Sequence, residues 1–288
     1  MIYVSSSCIK AQYIKQSVKT LAESGFGCIE LSGGSEYYPQ ILEDLLELKE
    51  KYNLQFACHN YFPPPKNGDF VINLASLDSA VFERSLEHLH TALEYSHKLG
   101  SAHFGFHAGF FLPLHSNELG ALELRNKHRI YNKHKAIEQF IKGYRLLDSS
   151  AKRLGITLYI ENNVISTAYA NKYGTWDLAM LLCLEDLLKL QDSIDCKLLL
   201  DVGHLKVSAY TMDRDFMSEL KGCARVADYI HLSDNNSLSD ENKYISMESE
   251  FLPTLVSFHH SQKIYTLEVY SGLDSLRKSY EVAKAIFG

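Results

Sequence analysis

The sequence has little that would indicate a disulfide-stabilised or redox protein. Its 288 residues include six cysteines, none of them in a C-x-x-C pair, and Cys8, Cys28 and Cys58 fall in or near candidate strands. We therefore expect reduced, mostly buried thiols in a cytosolic protein. A single catalytic cysteine stays open as an alternative, although no motif supports it.

Long apolar runs and a basic excess are also missing, and we expect no secretion signal. No stretch of about 18 apolar residues occurs, so we expect no membrane span. The N-terminal Met1–Ser5 lacks the basic start and apolar run of a signal peptide, and we expect a cytoplasmic protein. The net charge of −6 gives no global signature of nucleic-acid binding, although a local basic stripe would suffice for it.

What the chain does contain is an alternation of short apolar runs with longer amphipathic segments. Leu198–Leu200 is too short and too apolar for an amphipathic helix, and it is typical of a strand buried on both faces. Eight such strands are predicted, each followed by a helix, at spacings that allow parallel crossovers. They are Ile2–Ser6, Cys28–Leu31, Leu54–His59, Ala102–His107, Ile156–Glu161, Leu198–Asp201, Tyr229–Leu232 and Tyr265–Val269.

This pattern predicts an α/β fold, a single (β/α)8 TIM barrel domain over residues 1–288. Six of the intervening helices are expected at Ala11–Ser24, Gln40–Lys51, Ser79–Leu99, Phe216–Val226, Phe251–Ser261 and Leu273–Phe287. A further helix, after the long loop that follows the fourth strand, ends at Leu154. Another runs from an N-terminal cap at Thr175 to Gln191. No linker or low-complexity segment divides the chain.

Polar side chains lie at the carboxyl ends of the predicted strands. In a barrel these ends surround one mouth, so the side chains should converge. Each has a plainer explanation by itself, such as a salt bridge for Glu30 or a helix cap for Asp201. Because strands three to eight all carry a potential ligand, we favour a divalent metal centre. The set is Glu30, His59, His107, Glu161, Asp201, His204, His231 and Glu268.

The type of metal is left open by this mixture of ligands. Carboxylates suit magnesium or manganese, whereas imidazoles suit zinc, cobalt or iron.

Two segments near the expected mouth are candidates for substrate contacts. Tyr61 and Phe62, stiffened by the prolines that follow, could stack on a sugar or a base, or simply cover the mouth. A basic stripe could hold an anionic sugar or the phosphates of DNA, or form a solvated helix face. It consists of Arg125, Lys127, Arg129, Lys133 and Lys135.

Four short motifs together resemble the xylose isomerase-like barrel superfamily, which includes ketose 3-epimerases, hydroxypyruvate-type isomerases and endonuclease IV. The resemblance runs from strand two to strand eight. The motifs are Ile160-Glu161-Asn162, Leu200-Asp201-Val202-Gly203-His204, His231-Leu232-Ser233-Asp234 and Leu267-Glu268.

The epimerase branch implies one metal ion, with Glu161, Asp201, His231 and Glu268 as its ligands. Glu161 and Glu268 would then be the catalytic acid and base, and His204 would contact the substrate. Zinc or manganese is expected, with magnesium or cobalt as alternatives. We expect Tyr61, Phe62, Glu30 and Arg125 to contribute to substrate binding.

The endonuclease IV branch implies three zinc ions, with His59 and His107 as ligands of a second ion. The segment Val71–Ser76 also resembles that branch. The chain departs from it at Asp240-Glu241-Asn242, where an asparagine replaces a histidine ligand.

Two enzymatic hypotheses follow. The leading one is a metal-dependent sugar or sugar-phosphate isomerase or epimerase, working by proton transfer beside a metal-polarised carbonyl. The alternative is an endonuclease IV-like zinc-dependent phosphodiesterase acting on abasic DNA. We expect a small sugar or anionic sugar derivative rather than nucleic acid as the partner. A homo-oligomer, and a barrel that only binds sugar, stay open.

Overall fold

The chain folds into a closed barrel of eight parallel strands, which confirms the predicted (β/α)8 fold. The computed structural model describes residues 1–68, 70–118 and 127–288. Each strand pairs with the next along the chain, and the last pairs with the first. The strands are β1 (Ile2–Ser5), β2 (Cys28–Leu31), β3 (Gln55–His59), β4 (His103–His107), β5 (Thr157–Glu161), β6 (Lys197–Asp201), β7 (Tyr229–Leu232) and β8 (Ile264–Leu267).

Helices surround this barrel, and ten α-helices lie in the described ranges. Gly100 and Gly155 end α3 and α4 with φ angles of 74° and 70°, a left-handed conformation that glycine adopts without strain. The helices are α1 (Ile14–Glu23), α2 (Ile41–Tyr52), α3 (Ser79–Leu99), α4 (Lys133–Leu154), α5 (Thr167–Tyr173), α6 (Leu184–Gln191), α7 (Val202–Thr211), α8 (Phe216–Val226), α9 (Leu252–Ser257) and α10 (Leu273–Phe287).

The helix predictions were wrong in the middle of the chain. The helix expected from Thr175 begins only at Leu184, because residues 178–180 pair with residues 109–111: the Phe111 N–H donates to the Leu178 carbonyl and the Met180 N–H to the Gly109 carbonyl, both at 2.8 Å. Two helices, α5 and α7, were not predicted. Asp201 ends β6 and accepts a hydrogen bond from the His204 backbone N–H, so α7 starts without a loop that could have marked it.

Apolar side chains fill both sides of the strand layer. The outer core lies between strands and helices, and a second cluster fills the barrel interior. That interior cluster includes Tyr3, Tyr159, Leu199 and Tyr229. Because the interior is packed, the polar strand ends are accessible from the carboxyl mouth alone, where barrel enzymes carry their sites.

Two further expectations concern the cysteines and the membrane. All six cysteines are free, and all except Cys28 are buried. Within the described ranges, no helix has both the length and the apolar character that crossing a bilayer requires.

Candidate metal centre and active site

Three of the predicted ligands lie around a nitrogen of the fourth, His231 Nδ1. It lies 3.4 Å from Glu161 Oε1, 3.7 Å from Glu268 Oε2 and 3.9 Å from Asp201 Oδ2. The four residues come from the ends of β5, β6 and β7 and from the residue that follows β8, and all are buried. The barrel thus brings residues more than a hundred positions apart in the sequence into one cluster.

The atoms at the centre of this cluster lack ordinary partners. Among the described residues, neither His231 Nδ1 nor Asp201 Oδ2 has a hydrogen-bond partner, although both are buried. Leaving such atoms unpaired costs about 1–3 kcal/mol each. Glu161, Asp201 and His231 offer ligand atoms within 4.8 Å of one another, and Glu268 lies beside His231, so the donors present fit a divalent cation.

A second group of ligands shares Glu161 with the first. His59 Nε2 lies 2.7 Å and His107 Nδ1 3.2 Å from Glu161 Oε2, the oxygen opposite to the one that faces His231. His59, His107 and Glu161 are close enough to hold an ion together. Glu161 therefore belongs to both groups, with one carboxylate oxygen facing each.

Glu30 lies behind the centre rather than in contact with the cavity. Its side chain is fully buried, and Glu30 Oε2 lies 3.1 Å from His231 Nε2 and accepts a hydrogen bond from Thr266 Oγ1 at 3.0 Å. Tyr229 also donates its hydroxyl to this oxygen. The structure therefore corrects the expectation that Glu30 binds substrate, because no part of it is accessible. Glu30 instead directs His231 Nδ1 toward the centre.

His204 and Asp240 form a third group at the rim. His204 Nε2 lies 3.3 Å from Asp240 Oδ2, and its Nδ1 lies 2.9 Å from the Asn162 carbonyl oxygen. The Asn242 amide donates to the same Asp240 oxygen at 3.2 Å. Asp240 was not among the predicted site residues, although its sequence motif had drawn attention to it. This group offers one imidazole and one carboxylate, with an amide in place of a further imidazole.

The crowding of acids and imidazoles shifts their pKa values in opposite directions. Burial alone would raise the pKa of Glu161, but the imidazoles of His107 and His59 outweigh it and hold that pKa well below its usual range. Burial raises the pKa of Asp201 to about 7, with Glu161 adding to the rise against the opposing effect of His204.

The imidazoles differ among themselves. Burial lowers the pKa of His107 to about 4. For His231, burial acts in the same direction, but Glu30 and Glu268 outweigh it and raise the pKa well above its usual value. Without a cation these groups must share protons, and a divalent ion would take over that compensating role.

A cavity of about 870 Å³ opens above the centre and is lined by Glu161, His204, Glu268, His107 and Tyr61, among others. Phe62 does not line it. Its ring is fully buried against Tyr95, with 6.0 Å between the ring centroids, so its predicted contact with substrate is wrong. The chain turns at this point, which places Tyr61 in the cavity and Phe62 in the core.

The basic stripe is only partly within the described residues, and Arg125 lies outside them. Lys133 is paired with Asp177 at 2.6 Å and lies 5.5 Å from the centre of the Phe111 ring. Lys127 lies 5.8 Å from the centre of the Tyr173 ring. Two lysines of the stripe therefore already contact other side chains of the protein.

Comparison with known protein families identifies the family to which this chain belongs. The family described as xylose isomerase-like TIM barrel matches residues 18–261. The chain belongs to this family. A comparison with curated proteins finds no match.

Solved structures agree with the xylose isomerase-like barrel at low sequence identity. A D-tagatose 3-epimerase-like protein has a TM-score of 0.71 and 19% identity, over 99% of this chain and 96% of that one. A D-allulose 3-epimerase from Methylomonas sp. has a TM-score of 0.68 and 11% identity, with coverages of 99% and 96%. The TTHB071 protein from Thermus thermophilus, soaked with ZnCl2, has a TM-score of 0.63 and 18% identity, with coverages of 99% and 97%. At these identities the likeness is one of fold.

Proposed function

We propose that this barrel is a metal-dependent sugar isomerase or epimerase that works by proton transfer. The observation that carries the proposal is that Glu161 and Glu268 both lie close to His231 Nδ1, at 3.4 and 3.7 Å, and both line the cavity. Two carboxylates in one substrate cavity can serve as the base that removes a proton and the acid that returns one. The 3-epimerases among the similar structures are consistent with this chemistry.

Glu161, Asp201, His231 and Glu268 would hold the principal ion. Bound there, a divalent cation supplies a positive charge that polarises a substrate carbonyl and acidifies the neighbouring C–H bond. Zinc or manganese suits the mixed ligands, with magnesium or cobalt as alternatives.

The two glutamates and His204 then act on the substrate directly. The glutamate on the side of the reacting hydrogen takes that proton, and the other glutamate returns one. His204 Nδ1 is occupied by the Asn162 carbonyl, so Nε2 is the ring nitrogen left to face a substrate oxygen beside Asp240. Both glutamates line the cavity together with Tyr61, whose ring can pack against a sugar face.

Solvent hydrogen exchange tests this function. The protein, supplied with manganese or zinc, is incubated in deuterated water with a panel of ketoses and ketose phosphates, and NMR follows deuterium at the carbon beside the carbonyl. We expect incorporation with at least one sugar, and loss of it in Glu161→Gln and in Glu268→Gln. The exposed Glu43→Gln is the matched control. Unchanged exchange in either site variant would remove the acid–base assignment.

A second candidate function is supported by the ligands on the far side of Glu161. His59 and His107 would hold a second ion together with Glu161, and a pair of metal ions suits the hydrolysis of phosphodiesters. The amide of Asn242 is a poor zinc ligand, which weakens the case for a third ion. The net charge of −6 also favours a small anionic sugar over DNA.

Cleavage of duplex DNA containing one abasic site tests this alternative. The zinc-loaded protein should cut such DNA, and His59→Asn and His107→Asn should abolish the cut. If the wild-type protein leaves the abasic strand intact while exchanging sugar protons, the phosphodiesterase hypothesis is wrong.

A further inference from the structure

A second cluster of metal-ligating side chains lies outside the barrel mouth. His115, Glu118 and His128 each offer a ligand atom, and these atoms lie within 4.8 Å of one another. Glu118 is 4% exposed, so its carboxylate is withdrawn from solvent, whereas His115 is exposed. None of the three belongs to the centre formed by Glu161 and its neighbours.

Helix α5 holds two of these ligands in position. Tyr169 donates its hydroxyl to the Glu118 carbonyl oxygen, and the His128 backbone N–H donates to the Tyr173 hydroxyl at 2.8 Å. The two tyrosines are four residues apart and so lie on one face of the helix. A single rigid element therefore fixes the backbone of a ligand on each side of residues 119–126.

A simple ion pair explains only part of this arrangement. His128 Nε2 lies 2.9 and 2.8 Å from the two Glu118 carboxylate oxygens. The ring of His115 lies beside that pair, 5.6 Å from the His128 ring between centroids. Its backbone N–H binds Glu118 Oε2 at 2.9 Å, which keeps the ring close to the carboxylate.

Two imidazoles and one carboxylate are a donor set that zinc favours. Ligands around tetrahedral zinc are separated by about 3.3 Å, given bond lengths of about 2.0–2.2 Å. The Glu118–His128 contact at 2.8 Å would thus open by a fraction of an ångström, and the exposed His115 ring can rotate inward. Zinc would bind between the two side chains in place of the direct contact that they now make.

We propose that His115, Glu118 and His128 form a zinc site that fastens residues 115–118 to residue 128. Ser116 lines a cavity of about 590 Å³, and that cavity shares Ala11, Gly34 and Tyr61 with the cavity above the catalytic centre. The zinc therefore fixes the position of Ser116 in the lining of that cavity. The site has a structural role and does not depend on the proposed isomerase activity.

Zinc stoichiometry and proteolysis test this site. The full chain is titrated with zinc alone, and bound zinc is measured for wild type, for His115→Ala/His128→Ala, and for His134→Ala. His134 is the matched control because it lies 3.4 Å from Glu138 on the surface without a third ligand among the described residues. We expect the double variant to bind about one zinc fewer per chain than wild type, and the control to bind as many as wild type.

Trypsin cleavage after the exposed Lys127 is the second readout. Zinc should slow this cleavage in wild type and in the control, and it should have no effect in the double variant. Equal stoichiometry in all three proteins, or zinc protection that persists in the double variant, would overturn the proposal. If the barrel mouth binds no metal, the proposed function fails, but the difference between wild type and double variant remains.

Discussion

Glu161 connects the two groups of ligands at the mouth. One carboxylate oxygen faces His231 and the other faces His59, at 3.4 and 2.7 Å. Loss of this side chain therefore affects both candidate ion positions at once, whereas loss of His59 or His107 affects only one. Comparing the metal content of a Glu161 variant with that of a His59 or His107 variant would therefore distinguish a mononuclear from a dinuclear centre.

Glu30 allows a prediction about metal affinity. Because its carboxylate binds the outer nitrogen of His231, Glu30→Gln removes the charge that favours the metal-facing orientation of that ring. We expect the affinity for manganese or zinc to fall about 10- to 100-fold while the fold is retained. Metal titration with a competing chelator measures the change, and the exposed Glu43→Gln is the control. Wild-type affinity in Glu30→Gln would contradict the assigned role.

His88 allows a prediction about the pH dependence of stability. Burial lowers its pKa from 6.5 to about 4, and Nε2 has no partner among the described residues. The unfolded chain thus binds the proton more readily, and the stability contributed by neutral His88 is present above pH 6.5 and lost as the pH falls toward 4. Because the side chain is only half-buried, the loss is at most about 3 kcal/mol, at roughly 1.4 kcal/mol per pKa unit.

Urea unfolding at several pH values measures this effect. His88→Gln should lack this part of the stability loss between pH 6.5 and 4, and the exposed His134→Gln should keep it. Parallel pH profiles for wild type and His88→Gln would show that the ring is not responsible.

At the scale of elements, the strands were predictable from the sequence and several helices were not. The strands are short apolar runs that end in a polar residue, and that pattern survives in the barrel because both faces are buried. Helix α7 has apolar and polar residues buried on all sides, so it lacks the one-sided periodicity that marks surface helices. Phe62 was misplaced because a sequence does not show which side of a turn faces the cavity. Glu30 was misplaced because a sequence does not show how far below the mouth an inward-facing side chain lies.

The end of helix α8 provides a prediction at this scale. Lys263 is buried, and its ammonium group donates to the carbonyl oxygens of Ala224 and Ala227 at 2.6 and 2.7 Å. Lys263→Met leaves both carbonyls without this donor, and we expect a loss of about 2–4 kcal/mol in the free energy of unfolding. Urea unfolding measures it against the exposed Lys278→Met on α10. Equal stabilities of the two variants would mean that water replaces the ammonium group.

At the scale of the whole molecule, the closed barrel turns separate sequence motifs into one site. Residues from His59 to Glu268 meet because parallel strands all end at the same mouth. The packed interior closes the cavity from below, so these groups are buried on one side and reachable from the other. The fold therefore explains why unpaired charges collect here, and why a divalent cation is the economical way to stabilise them.

Anomalous scattering from crystals soaked in manganese tests this central claim most directly. The account predicts a peak beside His231 Nδ1, within bonding distance of Glu161, Asp201 and Glu268. A mouth that shows no such peak after soaking, with these four side chains arranged as they are here, would contradict it.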